Sequence, residues 1–299
     1  MARRVYAISP SGAVEDEARL QRAVANLARA GFNVQLDRAA LAVHQRFAGQ
    51  DRTRAESFSR AAASGCDIVM ATRGGYGLTR YLHLLDYRQL AAAGKHWIGL
   101  SDFTAFHLAM LAQVGAQTWA GPCLVAGFGA ERFEDVDATT LETFADTADG
   151  RVEALGFATR GNSGFEAEGT LWGGNLAMVC ALLGTPFFPK VDGGILFLED
   201  VNEHPFRIER MLTQLLHAGV LARQKAIVFG HVNGYKLASK DRGFDLPAVY
   251  RWIGRQVKAP IITGLPFGHV DPVITLPHGA RISLAVERGT CYLVMPHRH

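Results

Sequence analysis

From Val5 to Leu111 the chain alternates short β-branched runs with amphipathic segments, and this alternation constrains the fold more than any other feature. Val5 to Ser9 reads as a strand ending at Pro10-Ser11-Gly12, and Glu15 to Ala30 as a helix stopped by Gly31. Phe32 to Leu36 is a second strand and Asp51 to Ala63 a second helix, ending near Gly65. Asp67 to Thr72 is a third strand, followed by helices over Leu78 to Leu85 and Tyr87 to Ala93 and a strand before Gly99. Strands separated by helical segments predict a parallel sheet with helices on its faces, because a parallel connection must cross over the sheet. Loops at the carboxyl ends of such strands build the binding site. Ser9-Pro10-Ser11, Arg73 to Gly77 and Gly99 to Thr104 are loops of this kind, so they can converge.

Beyond this region the pattern changes. Glu131 to Gly164 is acidic and polar, punctuated by Arg160-Gly161-Asn162-Ser163-Gly164. A linker over 141–165 is therefore expected between an α/β domain at 1–140 and a second domain at 166–299. The latter reads as mixed α+β, with strands at Ile195 to Leu198, Ala226 to Phe229, Ile261 to Thr263, Val273 to Leu276 and Tyr292 to Met295. Helices are expected over Asn175 to Leu183 and Phe206 to His217. At 299 residues, with 48% hydrophobic side chains, the chain can bury two sizeable cores.

A net charge of +3 and the lack of a long basic run argue against nucleic acid as partner. The apolar run Val5-Tyr6-Ala7-Ile8 is too short for a secretory signal, and no stretch is long enough to span a bilayer. The four cysteines, Cys66, Cys123, Cys180 and Cys291, are scattered without a close pair. They read as small buried hydrophobes rather than a metal or disulfide set. Together these features predict a cytoplasmic protein.

The run His96-Trp97-Ile98-Gly99-Leu100-Ser101-Asp102-Phe103-Thr104 reads as strand, sharp turn and helix start. A serine at such a tip projects its hydroxyl away from the packed layers, beside unpaired helix amides that can donate to an oxyanion. The run departs from G-x-S-x-G, since Phe103 replaces the second glycine. Alternatively Ser101 is an N-cap, with Asp102 as the acid of a first turn. Arg73-Gly74-Gly75-Tyr76-Gly77 lacks both the Walker lysine and the dinucleotide spacing. It suits either a close backbone approach to an anion or a purely structural turn. Glu199 and Asp200 end an apolar strand, where alternation sends adjacent side chains to opposite faces. One of them is either a site carboxylate or a cap for the helix near Pro205. His269 follows a strand and the turn Gly264-Leu265-Pro266-Phe267-Gly268, where a rigid loop can present a general base. His204, His231 and His297 have no such context.

With these segments together the chain resembles the LD-carboxypeptidases, the muramoyltetrapeptide carboxypeptidases of peptidoglycan recycling. The resemblance also rests on Ala7-Ile8-Ser9-Pro10-Ser11-Gly12, Gly169-Thr170-Leu171-Trp172-Gly173-Gly174-Asn175-Leu176, Gly184-Thr185-Pro186 and Glu199-Asp200-Val201-Asn202-Glu203-His204-Pro205. It implies an N-terminal Rossmann-like domain, a C-terminal domain of the swivelling type and a homodimer. It implies Ser101 as nucleophile, His269 as general base and then acid, and Glu199 as the group orienting the imidazole. The backbone amides of Asp102 and of Gly75, in the Gly74-Gly75 pair, would form the oxyanion hole. The implied reaction releases terminal D-alanine from a muropeptide tetrapeptide at the L-centre of meso-diaminopimelate, with no cofactor and no metal. Asn175 either contacts substrate or stabilises a turn, and Glu203 either pairs with the diaminopimelate ammonium or caps in solvent. Two other functions are consistent with the same residues. Relatives resembling the microcin immunity peptidases cleave an aminoacyl-nucleotide, and a catalytically silent ligand-binding module could share the scaffold.

Overall fold

A computed structural model describes residues 3–295, so His297 and the chain ends lie outside the described residues. The first half runs β1 (Arg3–Ile8), α1 (Glu17–Arg29), β2 (Phe32–Leu36), α2 (Asp51–Ala63), β3 (Ile68–Ala71), α3 (Tyr87–Ala92) and β4 (His96–Gly99). It continues through α4 (Thr104–Val114), β5 (Thr118–Ala120), α5 (Leu124–Phe128) and α6 (Ala138–Asp149). The second half comprises β6 (Ala154–Ala158), β7 (Phe165–Asn175), α7 (Leu176–Leu182), β8 (Ile195–Val201), α8 (Pro205–His217), β9 (Ala226–Asn233) and α9 (Leu246–Gln256). It closes with β10 (Ile261–Thr263), β11 (Leu276–His278), β12 (Arg281–Glu287) and β13 (Thr290–Val294).

The chain divides into two compact units. The first holds residues up to Arg151 together with Gly184–Pro189 and Asp271–His278. Its sheet has the order β11-β5-β4-β3-β1-β2, parallel except for β11, which runs antiparallel to β5. The order reverses between β1 and β3, the point where a doubly wound sheet leaves a crevice at the carboxyl ends of its strands. The loops after β1 and β3 leave from that point, and the turn after β4 stands beside them. Val5, Ala7, Ile68, Met70 and Ile98 on the strands pack with Leu20, Ala23 and Leu27 of α1 and with Phe128 and Phe144. Burial of this apolar area is the main stabilising contribution to the unit.

The second unit has a mixed sheet of order β10-β9-β8-β7-β12-β13-β6. Strands β7 to β10 are mutually parallel, whereas β12, β13 and β6 pair antiparallel. The α/β class with two sheets agrees with the sequence expectation, but several elements do not. Leu78 to Leu85 forms two short 3₁₀ turns rather than one helix, because Tyr81 leaves helical dihedrals while its hydroxyl donates to Pro10 O at 2.6 Å. The expected strand at Val273 to Leu276 is displaced to β11 and belongs to the first unit's sheet. Residues 141–165, expected as a linker, carry most of α6 and all of β6.

The long strand β7 is absent from the sequence expectation because glycines obscure its alternation. A Cβ on Gly169 would lie 2.3 Å from Gly193 O, and one on Gly173 2.0 Å from Phe197 O, so only glycine fits against the neighbouring backbone. The four cysteines are free and buried, as expected.

Candidate active site

In the first unit, β4 delivers Ser101 into a tight turn that leads directly into α4. Ser101 has a φ of 64°, a left-handed conformation that costs a non-glycine residue about 1–3 kcal/mol and must be held by its surroundings. Its hydroxyl caps no helix: neither the turn Ser101–Phe103 nor α4 has a side-chain cap bond. The N-cap alternative for Ser101 is therefore not realised. Gly99 allows the turn, since a Cβ there would sit 2.5 Å from the Phe103 ring.

The glycine loop after β3 lies against this turn. A Cβ on Gly74 would come within 2.7 Å of Ser101 Cβ and 2.9 Å of its Oγ. Gly75 has a φ of 109°, available in practice to glycine alone. Gly74 O accepts the Gly12 amide at 3.2 Å, which ties the glycine loop to the loop after β1. Asp102, expected as an oxyanion amide or as the acid of a first turn, buries its carboxylate: Oδ2 accepts from Ser11 Oγ at 2.6 Å and from Leu78 N at 2.9 Å.

In the second unit, β8 ends in the adjacent carboxylates Glu199 and Asp200, both buried. His269 Nδ1 lies 2.9 Å from Glu199 Oε2, and with a carboxylate as acceptor this nitrogen carries the proton. Burial works against a charged imidazole here. The hydrogen bond and charge of Glu199, with the charge of Asp200, outweigh it and raise the His269 pKa above its ordinary value. Gly268, with a φ of 131°, brings the histidine loop close: a Cβ there would stand 3.2 Å from Glu199 Oε2. The loop is further pinned by His231 N donating to Phe267 O and by Asn233 Nδ2 donating to His269 O, each at 2.8 Å. No feature of the sequence singled out Asn233.

Asp200 follows an irregularity in the β8–β9 register and turns its carboxylate to the start of α7. Its Oδ2 accepts from Ala177 N at 2.9 Å, so it supports the start of α7, while α8 is capped by His204. The expected cap for the helix near Pro205 is therefore not realised by either carboxylate. Asn175 Oδ1 caps α7 through Met178 N, and its Nδ2 donates to Glu199 Oε1 at 3.1 Å and Asp200 Oδ1 at 3.2 Å. It braces the carboxylates from within the fold. Glu203 is ion-paired with Arg207 one helical turn on. No group of three metal-ligating side chains occurs among the described residues. Nor is any helix among them long and apolar enough to cross a membrane.

The first unit thus carries a serine on a strained turn with the glycine loop against it, and the second an imidazole bonded to a buried carboxylate. Residues 5–121 match the LD-carboxypeptidase N-terminal domain and residues 168–284 the LD-carboxypeptidase C-terminal domain. A crystal structure of a muramoyltetrapeptide carboxypeptidase from Oxalobacter formigenes superposes with a TM-score of 0.91 at 40% identity, covering 99% of this chain and 100% of that one. A putative carboxypeptidase of Streptomyces coelicolor is 34% identical over 98% of this chain and 94% of its own length. A probable murein peptide carboxypeptidase of Bacillus subtilis is 29% identical over 93% of this chain and 88% of its own. The chain belongs to the LD-carboxypeptidase family of peptidases.

Proposed function

We propose that the protein is a serine-type LD-carboxypeptidase that removes the terminal D-alanine from murein tetrapeptides. The observation that carries this most directly is the bond from His269 Nδ1 to the buried carboxylate of Glu199 at 2.9 Å. It fixes the imidazole tautomer and leaves Nε2 as the nitrogen able to take a proton. Ser101 Oγ attacks the carbonyl of the diaminopimelate L-centre as Nε2 accepts its proton. Amides of Asp102 and Gly75 receive the oxyanion. The tetrahedral intermediate collapses as the imidazolium protonates the leaving amine, releasing D-alanine and an acyl-enzyme. Water, deprotonated by the same imidazole, then hydrolyses the ester and restores Ser101.

Glu203, already paired with Arg207, would offer its carboxylate to the diaminopimelate ammonium, and Asn175 would act chiefly through Glu199. The enzyme would work in the cytoplasm as a homodimer on imported wall fragments. Mass spectrometry of a diaminopimelyl-D-alanine tetrapeptide before and after incubation tests the function. Loss of a single alanine is expected from the tetrapeptide, with the L-alanine-terminated peptide and the pentapeptide left intact. Equal cleavage of the L-alanine form would make it a general peptidase. Turnover of an aminoacyl-nucleotide alone would indicate an immunity-type peptidase.

A further inference from the structure

The strained turn at Ser101 needs something to hold it, and a group directly beside it does so. We infer that the Asp102 carboxylate is a positioning group that locks the nucleophile turn to the loops after β1 and β3 and so sets the geometry in which Ser101 reacts. The inference rests on Ser101 being the nucleophile.

Ser101 keeps a left-handed φ of 64° without being glycine, so tertiary contacts must overcome its local preference. The next side chain, Asp102, is 1% exposed and reaches both neighbouring loops through a single oxygen. Ser11 Oγ, on the loop after β1, donates to it at 2.6 Å, and Leu78 N, just past the glycine loop, donates at 2.9 Å. Ser11 is fully buried, and the Ala48 amide donates to its backbone carbonyl at 3.0 Å, so the hydroxyl is presented from a fixed backbone. The same loops meet again in the bond from Gly12 N to Gly74 O and in the contact of Gly74 with the Ser101 side chain. Asp102 therefore closes a ring of contacts running from Ser101 through the glycine loop and the β1 loop back to the nucleophile turn.

A buried carboxylate is a costly way to join loops, and a well-packed apolar side chain often matches such a group in stability. An apolar residue here would leave the Ser11 hydroxyl and the Leu78 amide without their acceptor. Each would then be a buried donor without an acceptor, and the loops would be released from one another. The partners are a hydroxyl and an amide, which fix position and do not titrate near neutral pH. A shift of the turn by an ångström moves Ser101 Oγ and the oxyanion amides together, and a displacement of that size can reduce rate by about a hundredfold.

The experiment uses the full chain and the variants Ser11→Ala and Asp102→Asn. Ser11→Ala removes one donor at a residue that takes no part in the chemistry. Asp102→Asn keeps the shape and one oxygen for both donors, but a neutral amide accepts more weakly than the carboxylate. The readouts are the second-order rate of Ser101 labelling by a fluorophosphonate, kcat and KM on the tetrapeptide, and the melting transition. In both variants labelling and kcat should fall together by about tenfold or more, with KM within about twofold and a cooperative melt retained.

Labelling and kcat within about twofold of wild type in Ser11→Ala would overturn the inference, as would a loss confined to KM. If Asp102→Asn fails to fold, Ser11→Ala carries the test alone. A wild-type enzyme that the fluorophosphonate does not modify at Ser101 would instead overturn the nucleophile assignment, so the two failures are distinguishable.

Discussion

Asp102 in the first unit and Glu199 in the second are both carboxylates sealed from solvent, yet their partners differ in kind. Asp102 accepts from a hydroxyl and a backbone amide, neither of which changes its protonation state near neutral pH. Burial raises its pKa, opposed by those bonds and by the nearby charge of Arg54. Glu199 accepts from an imidazole and a side-chain amide, with a second carboxylate adjacent in sequence. The first arrangement fixes where the chain goes, and the second also sets how tightly a proton is held. A buried acid near a reacting group is thus read from its partner: fixed donors make it a brace, and a titrating partner makes it a regulator of proton affinity.

If the two regions act as one catalytic unit, the largest effects should come from Ser101 and His269. Ser101→Ala is expected to lower kcat/KM by about a thousandfold or more while the protein still melts cooperatively. His269→Ala should fall in the same range. The double variant should be no worse than either single one, because removing one member already disables the unit. Residual activity of Ser101→Ala within about tenfold of wild type, a barrier change of about 1.4 kcal/mol, would break the nucleophile assignment. Multiplying losses in the double variant would show that the two regions act separately. Glu199→Gln should be milder, at about tenfold to a thousandfold, since the base remains but loses its charged orienting partner. A Glu199→Gln loss as large as that of His269→Ala would mean the carboxylate does more than orient.

The same contrast explains what the sequence made legible. The turn at Ser101 is a local feature: strand, Gly99, polar tip and apolar helix lie within one short run, so its position is legible from neighbours in the chain, although its left-handed φ is held from outside that run. The proposed acid and base are each legible as a loop or strand end, yet Glu199 and His269 lie far apart in sequence. Their pairing came from the family resemblance and not from spacing. The bonds of the Asp102 carboxylate are not legible in the sequence because its partners, Ser11 and Leu78, are remote and chemically ordinary. Strand β7 and the return of β11 to the first sheet were obscured for a related reason. Glycine removes the alternation that marks a strand, and no local pattern reports which sheet a short strand joins.

The smallest expected effect sharpens the comparison through pH. Glu199 and Asp200 favour the charged imidazole of His269, and together they outweigh burial, so its pKa in the folded protein lies above the ordinary histidine value of about 6.5. The base must be neutral to accept the Ser101 proton, so the acid limb of kcat/KM should have its midpoint above that value and rise with pH. Asp200 is itself pushed up to about 6, first by burial and then by the charge of Glu199. Above that pH it is ionised and adds to the field on His269.

Asp200→Asn removes this charge while its remaining side-chain oxygen can still accept the Ala177 amide. The limb should then move towards lower pH by less than about one unit, because Asp200 acts on His269 without a direct bond. Glu199→Gln should move the limb further in the same direction, since both the bond and the charge are weakened. Asp102→Asn should leave the midpoint in place however much it lowers kcat, because the groups bonded to its carboxylate do not titrate. Limb positions measured on the wild type and these variants decide the matter. A shift in Asp102→Asn equal to that in Asp200→Asn would erase the distinction between brace and proton-affinity regulator.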